Sequence, residues 1–232
     1  MGTADARVLS ADRLRDAATV IVLRDAARSP RVLMGQRGRA AAFLPDKFVF
    51  PGGAVDAGDG DIALARPLGA VDRRRLDRPG EATPEALAAA ALRELWEETG
   101  QLVGRPGDWP DAPPDWQGYR AAGLRPDASA LRYVFRAITP PGYPRRFDAR
   151  FFVLDAAALS TAPDDFSNAS DELAHLQWVA MDEARDLDLP FITSVVLAEL
   201  AARLPDLGPP PRVPFFRDDA PHGYVLDEAQ TP

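Results

Sequence analysis

The stretch "RELWEETG", Arg93–Gly100, sets three glutamates, Glu94, Glu97 and Glu98, among hydrophobic residues. Successive residues of a helix lie about 100° apart. Arg93, Glu94, Glu97 and Glu98 then share one arc, and Leu92, Leu95, Trp96 and Thr99 fall on the other side. Like charges at i,i+4 repel by a few tenths of a kcal/mol. Arg93 can pair with Glu97, which leaves two carboxylates uncompensated. Such a face is either the solvated outside of an amphipathic helix or a divalent-cation site, since Mg²⁺ takes oxygen ligands and shares them with water and substrate phosphate.

The residues before this stretch predict the helix itself. Thr83 suits the N-cap, Pro84 the first helical position and Glu85 the positive end of the helix dipole. "EALAAAALRELWEET" has high helix propensity, and Gly100 is a natural stop. The spacing predicts a helix over Pro84–Thr99, with Ala88–Ala91 packed closely under a sheet.

Upstream, "ATVIVLRD" (Ala18–Asp25) and "RVLMGQR" (Arg31–Arg37) read as strands joined by a turn. "KFVFPGGAV" (Lys47–Val55) reads as a strand broken at Pro51-Gly52-Gly53, where consecutive glycines allow a sharp turn and close approach of a ligand. Residues 58–82 are polar and charged and read as an insertion with at most short helices. Downstream, "GDWPDAPPDWQGYRAAG" reads as loop plus short helix, with Trp109 and Trp116 used in packing. "ALRYVFRAIT", "RRFDARFFVLDA" and "LAHLQWVAM" read as strands and "PFITSVVLAELAARL" as a second long helix. From Pro205 onward the chain reads as a proline-rich tail without recognisable chemistry. Strands on both sides of a helix, then more strands and a helix, predict one α/β domain, a mixed sheet between helices.

Composition narrows the function classes. The 232 residues are 46% hydrophobic and 27% charged, ordinary for a globular protein. No apolar run approaches the roughly 18 residues of a membrane span. The opening "MGTADARVLSADRLRDA" lacks a basic-then-apolar signal pattern, so a cytoplasmic location is expected. The absence of cysteine excludes disulfides, thiolate zinc sites and a cysteine nucleophile. The two histidines, His175 and His222, form no metal-ligand spacing. A net charge of −8 argues against a nucleic-acid polymer as partner. "GDGDIA" (Gly58–Ala63) fits a loose dinucleotide-loop pattern, but Asp59 and Asp61 would repel a pyrophosphate and no βαβ unit surrounds it.

With "FPGGAVDAGD" upstream and "RELWEETG" downstream, the chain resembles the Nudix hydrolase family. The second half of that family's signature box is matched at Arg93, Glu94, Leu95, Glu97, Glu98 and Gly100, with Gln101 departing at the last aliphatic position. The first half fits in two registers. Glu85 lies at the required spacing from Arg93, but its glycine would then fall on Pro79. Gly53 and Asp59 preserve the "PGG" strand end, with Asp in place of Glu and about two dozen inserted residues before the helix. The split register is preferred, and whether Asp59 or Glu85 fills the acidic position stays open. A box with an insertion resembles the coenzyme A diphosphatase branch of peroxisomal type. "RVLMGQRGRAAAFLPDKFVFPGG" and "PRRFDARFF" are similar to that branch too.

The resemblance implies a Nudix fold and metal-dependent hydrolysis of a pyrophosphate linkage in a nucleoside diphosphate derivative, with coenzyme A or acyl-coenzyme A preferred. ADP-ribose, a nucleotide sugar or a dinucleotide are alternatives, and a non-catalytic binding module ranks below them. It implies Mg²⁺ or Mn²⁺ held by Glu94, Glu97 and Glu98, with the Gly52 carbonyl as a further ligand and Arg93 orienting a glutamate. Glu172 is the candidate general base or extra ligand, with Asp171 as its nearest rival and a solvated loop acid as the alternative. Arg145, Arg146 and Arg150 are candidate phosphate binders, since Arg forks match phosphate oxygens; an ordinary strand with a polar face also fits. A homodimer is left open. The insertion is expected at the surface beside the cleft, where it would influence substrate choice.

Overall fold

The computed structural model describes residues 14–39, 41, 43–217 and 223–225. The stretch before Leu14, His222 and the last seven residues lie outside the described residues. The strands are β1 (Leu14–Arg24), β2 (Arg31–Arg37), β3 (Phe48–Val49), β4 (Gly52–Ala54), β5 (Gly104–Pro106), β6 (Leu124–Pro126), β7 (Arg132–Ile138), β8 (Arg146–Asp155), β9 (Leu173–Ala180), β10 (Val213–Phe216) and β11 (Gly223–Val225). The helices are α1 (Ala70–Leu76), α2 (Pro84–Thr99), α3 (Gln117–Ala121) and α4 (Phe191–Ala201).

Nine strands form one mixed sheet in the order β11-β10-β7-β8-β1-β2-β3, with β4 on β1 and β9 on β2, while β5 and β6 make a separate hairpin. β1 runs parallel to β8 over ten residues. Its other edge forks: β4 pairs with Ala17–Thr19, and β2 pairs with Leu23 and Arg24. β1 is buried on both faces, as central strands under helices are. Val20 and Val22 face α2 together with Leu87, Leu92 and Leu95. Ile21 and Leu23 face α4 together with Val196, Leu197 and Leu200. The architecture is the α/β/α sandwich expected from the order of elements.

α2 covers the predicted residues. The Thr83 hydroxyl accepts from Ala86 N at 3.2 Å, and Gly100 closes the helix with φ 71°. Ala88, Ala89, Ala90 and Ala91 are fully buried, which lets the helix lie close to the sheet. Trp109 and Trp116 are buried in the same core.

One expectation is corrected. Most of the insertion is at the surface, but it does not line the cleft: Ile62, Leu68 and Leu76 are buried in the core with α2, and Arg75 donates to the carbonyls of Pro210 and Pro211. Three apolar anchors thereby tie a polar segment to the interior. Within the stretch after Pro205, β10 extends the sheet alongside β7 and carries Phe215 and Phe216. Among the described residues, no helix is long and apolar enough to cross a membrane.

Candidate active site

Helix α2 delivers its glutamates to the point where β4 leaves β1. Gly53 has no side chain there, and a Cβ on it would lie 2.4 Å from Glu94 Oε1, so the carboxylate occupies the space of a side chain. Gly52 has φ 157°, and a Cβ there would meet the Ala18 carbonyl at 2.6 Å. Its N–H donates to Glu98 Oε2 at 2.8 Å. Both glycines are thus required by close approach.

Arg93 organises the rest. It is 4% exposed, with Nε and Nη2 donating to the two oxygens of Asp59 at 3.0 Å each. Nη1 donates to Glu94 Oε1 at 2.8 Å and Glu97 Oε2 at 3.2 Å, and Nη2 also holds the Ala54 carbonyl at 3.0 Å. Burial opposes the charge on Arg93, but the hydrogen bond and charge of Asp59, with Glu94 and Glu97, hold its pKa above the ordinary value. The two registers therefore separate in space. Asp59 sits buried on Arg93, whereas Glu85 pairs with Arg73 at the surface.

The glutamates do not form a solvated face. Burial raises the Glu94 carboxyl to about 7, partly opposed by Arg93 and reinforced by Glu97 and Glu172. Glu98, 1% exposed, is held well above the carboxylate range by burial and by the neighbouring Glu94. Burial also raises Glu97, against Arg93. Crowded, buried carboxylates of this kind are relieved by a cation.

The fit to a divalent cation is partial in geometry and good in chemistry. Glu98 Oε1 is buried without a hydrogen-bond partner, which is costly unless something binds it. Yet among the described residues no three acidic or imidazole groups converge in ligand geometry. Arg93 lies between Glu94 and Glu97 and engages one oxygen of each. A hard cation could be held through their second oxygens, Glu98 Oε1 and backbone carbonyl oxygen near Gly52.

Gly52, Gly53, Arg93, Glu94 and Glu97 line a cavity of about 690 Å³ that also contains Glu172, Arg15, Arg37, Lys47 and Arg145, and Glu98 is not among its lining residues. Glu172 accepts from Arg37 Nη2 at 2.9 Å, and Arg37 Nη1 lies 4.0 Å from Glu98 Oε1. Arg37 Nε is buried without a hydrogen-bond partner. Lys47 pairs with Asp188 at the rim. Sequence reasoning missed Arg37, Arg15 and Lys47, although Arg37 ends a strand that pairs with Phe48–Val49, just before the "PGG" turn.

The three candidate arginines part company. Arg145 lines the cavity. Arg146 donates to the Thr139 carbonyl at 3.2 Å and is not among the lining residues. Arg150 is 1% exposed on the opposite face of β8, held by Asp16, Asp148 and Glu81. Three carboxylates already compensate its charge, so the expectation of phosphate binding by Arg150 is corrected. Alternation along the strand is the cause: Phe147, Ala149 and Phe151 face the cleft, and Asp148 and Arg150 face away.

The sandwich, the forked central strand and the glutamate-bearing helix define the chain's class. A crystal structure of a NUDIX hydrolase from Alicyclobacillus acidocaldarius is 31% identical, with 82% of this chain and 92% of that one covered and a TM-score of 0.61. The chain belongs to the Nudix hydrolase family. It is 29% identical over 189 residues to nudix hydrolase 7 of Caenorhabditis elegans, covering 74% of this chain. It is 28% identical over 239 residues to the acyl-coenzyme A diphosphatase NUDT19 of Gallus gallus, covering 73% of this chain. It spans 53% and 62% of the lengths of these two relatives. No protein-family model matches it.

Proposed function

We propose that the protein hydrolyses the pyrophosphate linkage of a nucleoside diphosphate derivative with the help of Mg²⁺ or Mn²⁺, and that coenzyme A or acyl-coenzyme A is its preferred substrate. The observation that carries this reading is the buried Glu98 Oε1, which has no hydrogen-bond partner, on the same helix as Glu94 and Glu97, which line a cleft that also holds Arg15, Arg37, Lys47 and Arg145. Glu94, Glu97, Glu98 and the Gly52 carbonyl would hold the metal. A divalent cation held there would neutralise phosphate charge and make the attacking water more acidic. Arg93 keeps Glu94 and Glu97 in place, and Asp59 keeps Arg93 in place. Glu172 takes the proton of the attacking water, with Arg37 fixing its orientation. Arg15, Lys47 and Arg145 face the diphosphate charge.

The coenzyme A assignment draws on the inserted box and on the name of the chicken relative. A panel of coenzyme A, dephospho-coenzyme A, ADP-ribose, nucleotide sugars and dinucleotides, with and without Mg²⁺, tests it. Coenzyme A should yield 3′,5′-ADP and 4′-phosphopantetheine fastest. Faster cleavage of ADP-ribose would move the assignment to a broader diphosphatase. No cleavage of any compound in Mg²⁺ or Mn²⁺ would leave a binding module.

A further inference from the structure

Four alanines stand in register across four adjacent strands: Ala54 of β4 opposes Ala17 of β1, Ala17 opposes Ala149 of β8, and Ala149 opposes Ala137 of β7. All four line the cavity, and the same row ends at Phe216 of β10. Side chains that stop at Cβ make a sunken floor. Along β8, Phe147 and Phe151 rise on either side of Ala149. At β8 the trough floor is thus walled on both sides, and at β1 it lies between Arg15 and Thr19. Three interstrand spacings of roughly 4.8 Å give it a length of about 14 Å from Ala54 to Ala137.

The two ends differ in character. At Ala54 the trough meets the reacting end, since Arg93 holds the Ala54 carbonyl and Glu98, whose Oε2 accepts from the Gly52 N–H, is buried beside the same glycine turn. At the far end Phe216 packs edge-on against Phe191 with centroids 5.7 Å apart. Phe43 packs against Phe147 at 5.4 Å and Tyr143 at 6.3 Å over the same cleft. Phe191 is 70% and Tyr143 46% exposed, so two of the three large exposed hydrophobics among the described residues stand at this mouth. Apolar groups concentrated on one opening mark a place where something apolar binds.

We propose that the alanine trough holds a slender aliphatic arm bonded to the diphosphate, with the arm's far end against Phe191 and Phe216. The proposal deepens the diphosphatase reading and rests on it for the position of the phosphates. A nucleobase needs hydrogen-bond partners on its edges, for which the polar side chains lining this half of the cleft are Thr139, Arg145 and Thr193. Thr139, a polar residue of this wall, is already engaged: its N–H donates to the Phe147 carbonyl, its hydroxyl accepts from Phe147 N, and its carbonyl accepts from Arg146. An alkyl chain asks for none of these and gains from each methylene it buries, up to roughly fourfold in affinity per group.

The test is calorimetric binding of ethyl, butyl and octyl phosphate to the full chain in Mg²⁺ buffer. Affinity should rise at least tenfold from ethyl to octyl phosphate. Ala137→Phe, which fills the trough, and Phe191→Ser, an exposed position that spares folding, should each flatten that rise. Circular dichroism checks that both variants are folded. A flat series in the unmodified chain, or an unchanged slope in Ala137→Phe, overturns the proposal. So does AMP losing as much affinity as octyl phosphate in Ala137→Phe, which would give the trough to a base. The titration requires no turnover. Failure of the diphosphatase reading therefore shows in the substrate panel, and failure of the trough shows in the chain-length slope.

Discussion

Arg93 and Asp59 are joined by two hydrogen bonds of 3.0 Å, with both side chains at most 5% exposed, across 34 positions of sequence. Breaking a buried pair by removing one partner strands the other charge and costs about 3–5 kcal/mol. Glu94 and Glu97 still compensate Arg93, so Asp59→Ala should lose about 1–3 kcal/mol in urea denaturation, the cost of leaving buried donors unpaired. Glu85→Ala, which removes only a surface pair with Arg73, should lose about 0.2–1 kcal/mol. A larger loss at Glu85 than at Asp59 would return the acidic position to Glu85.

Metal dependence is the second expectation. Glu97→Gln and Glu98→Gln keep the side chain's shape, and in the latter the amide oxygen can still accept from the Gly52 N–H. Turnover should fall about 100-fold or more in each, with an unchanged circular dichroism spectrum. Excess chelator should abolish turnover of the unmodified chain, and restored Mg²⁺ or Mn²⁺ should recover it. Undiminished rates in chelator would refute the role given to these glutamates.

The insertion should behave as core. Leu76 is 2% exposed against α2's cluster, so Leu76→Ala should cost about 2–5 kcal/mol. Replacing residues 61–79 with a short Gly/Ser link should lower the melting temperature far more than it alters the ranking of substrates. A shortened chain with unchanged melting temperature and altered substrate preference would reverse this view.

A pH dependence follows from Glu81. Burial pushes its carboxyl up, but hydrogen bonds and charge from Arg136 and Arg150 outweigh it and leave the pKa below the ordinary 4.5. A depressed carboxyl stabilises the fold above its unfolded pKa and loses that contribution as pH falls through the folded one. Below about pH 4.5, the unmodified chain should therefore lose stability more steeply than Glu81→Gln. Parallel losses in urea midpoint from about pH 7 to about pH 3.5 would remove Glu81 from the account.

Helix α2 was legible because its determinants are local. A Thr cap, a proline at the first turn, an alanine run and a glycine stop act within a few residues of one another, and the structure starts and ends the helix at Pro84 and Thr99. The strands Arg31–Arg37 and Leu173–Ala180 were legible for the same reason, through apolar content between turn residues. Four-residue β10 was not, since "VPFF" takes up strand pairing only because the edge of β7 is there to receive it.

What the sequence by itself determined is the class of the fold and the chemistry gathered on one helix, because capping, periodicity and the order of elements are short-range properties. The tertiary structure alone decided which acid meets Arg93, since Asp59 and Glu85 lie on either side of an insertion whose path depends on burying Ile62, Leu68 and Leu76. It alone turned Arg150 away from the cleft, toward Asp16, 134 positions distant, and Glu81, 69 positions distant. It also made a trough from Ala17, Ala54, Ala137 and Ala149, four ordinary alanines in separate segments. Registers between strands far apart in the chain bring them into one row, because pairing and burial act on neighbours in space.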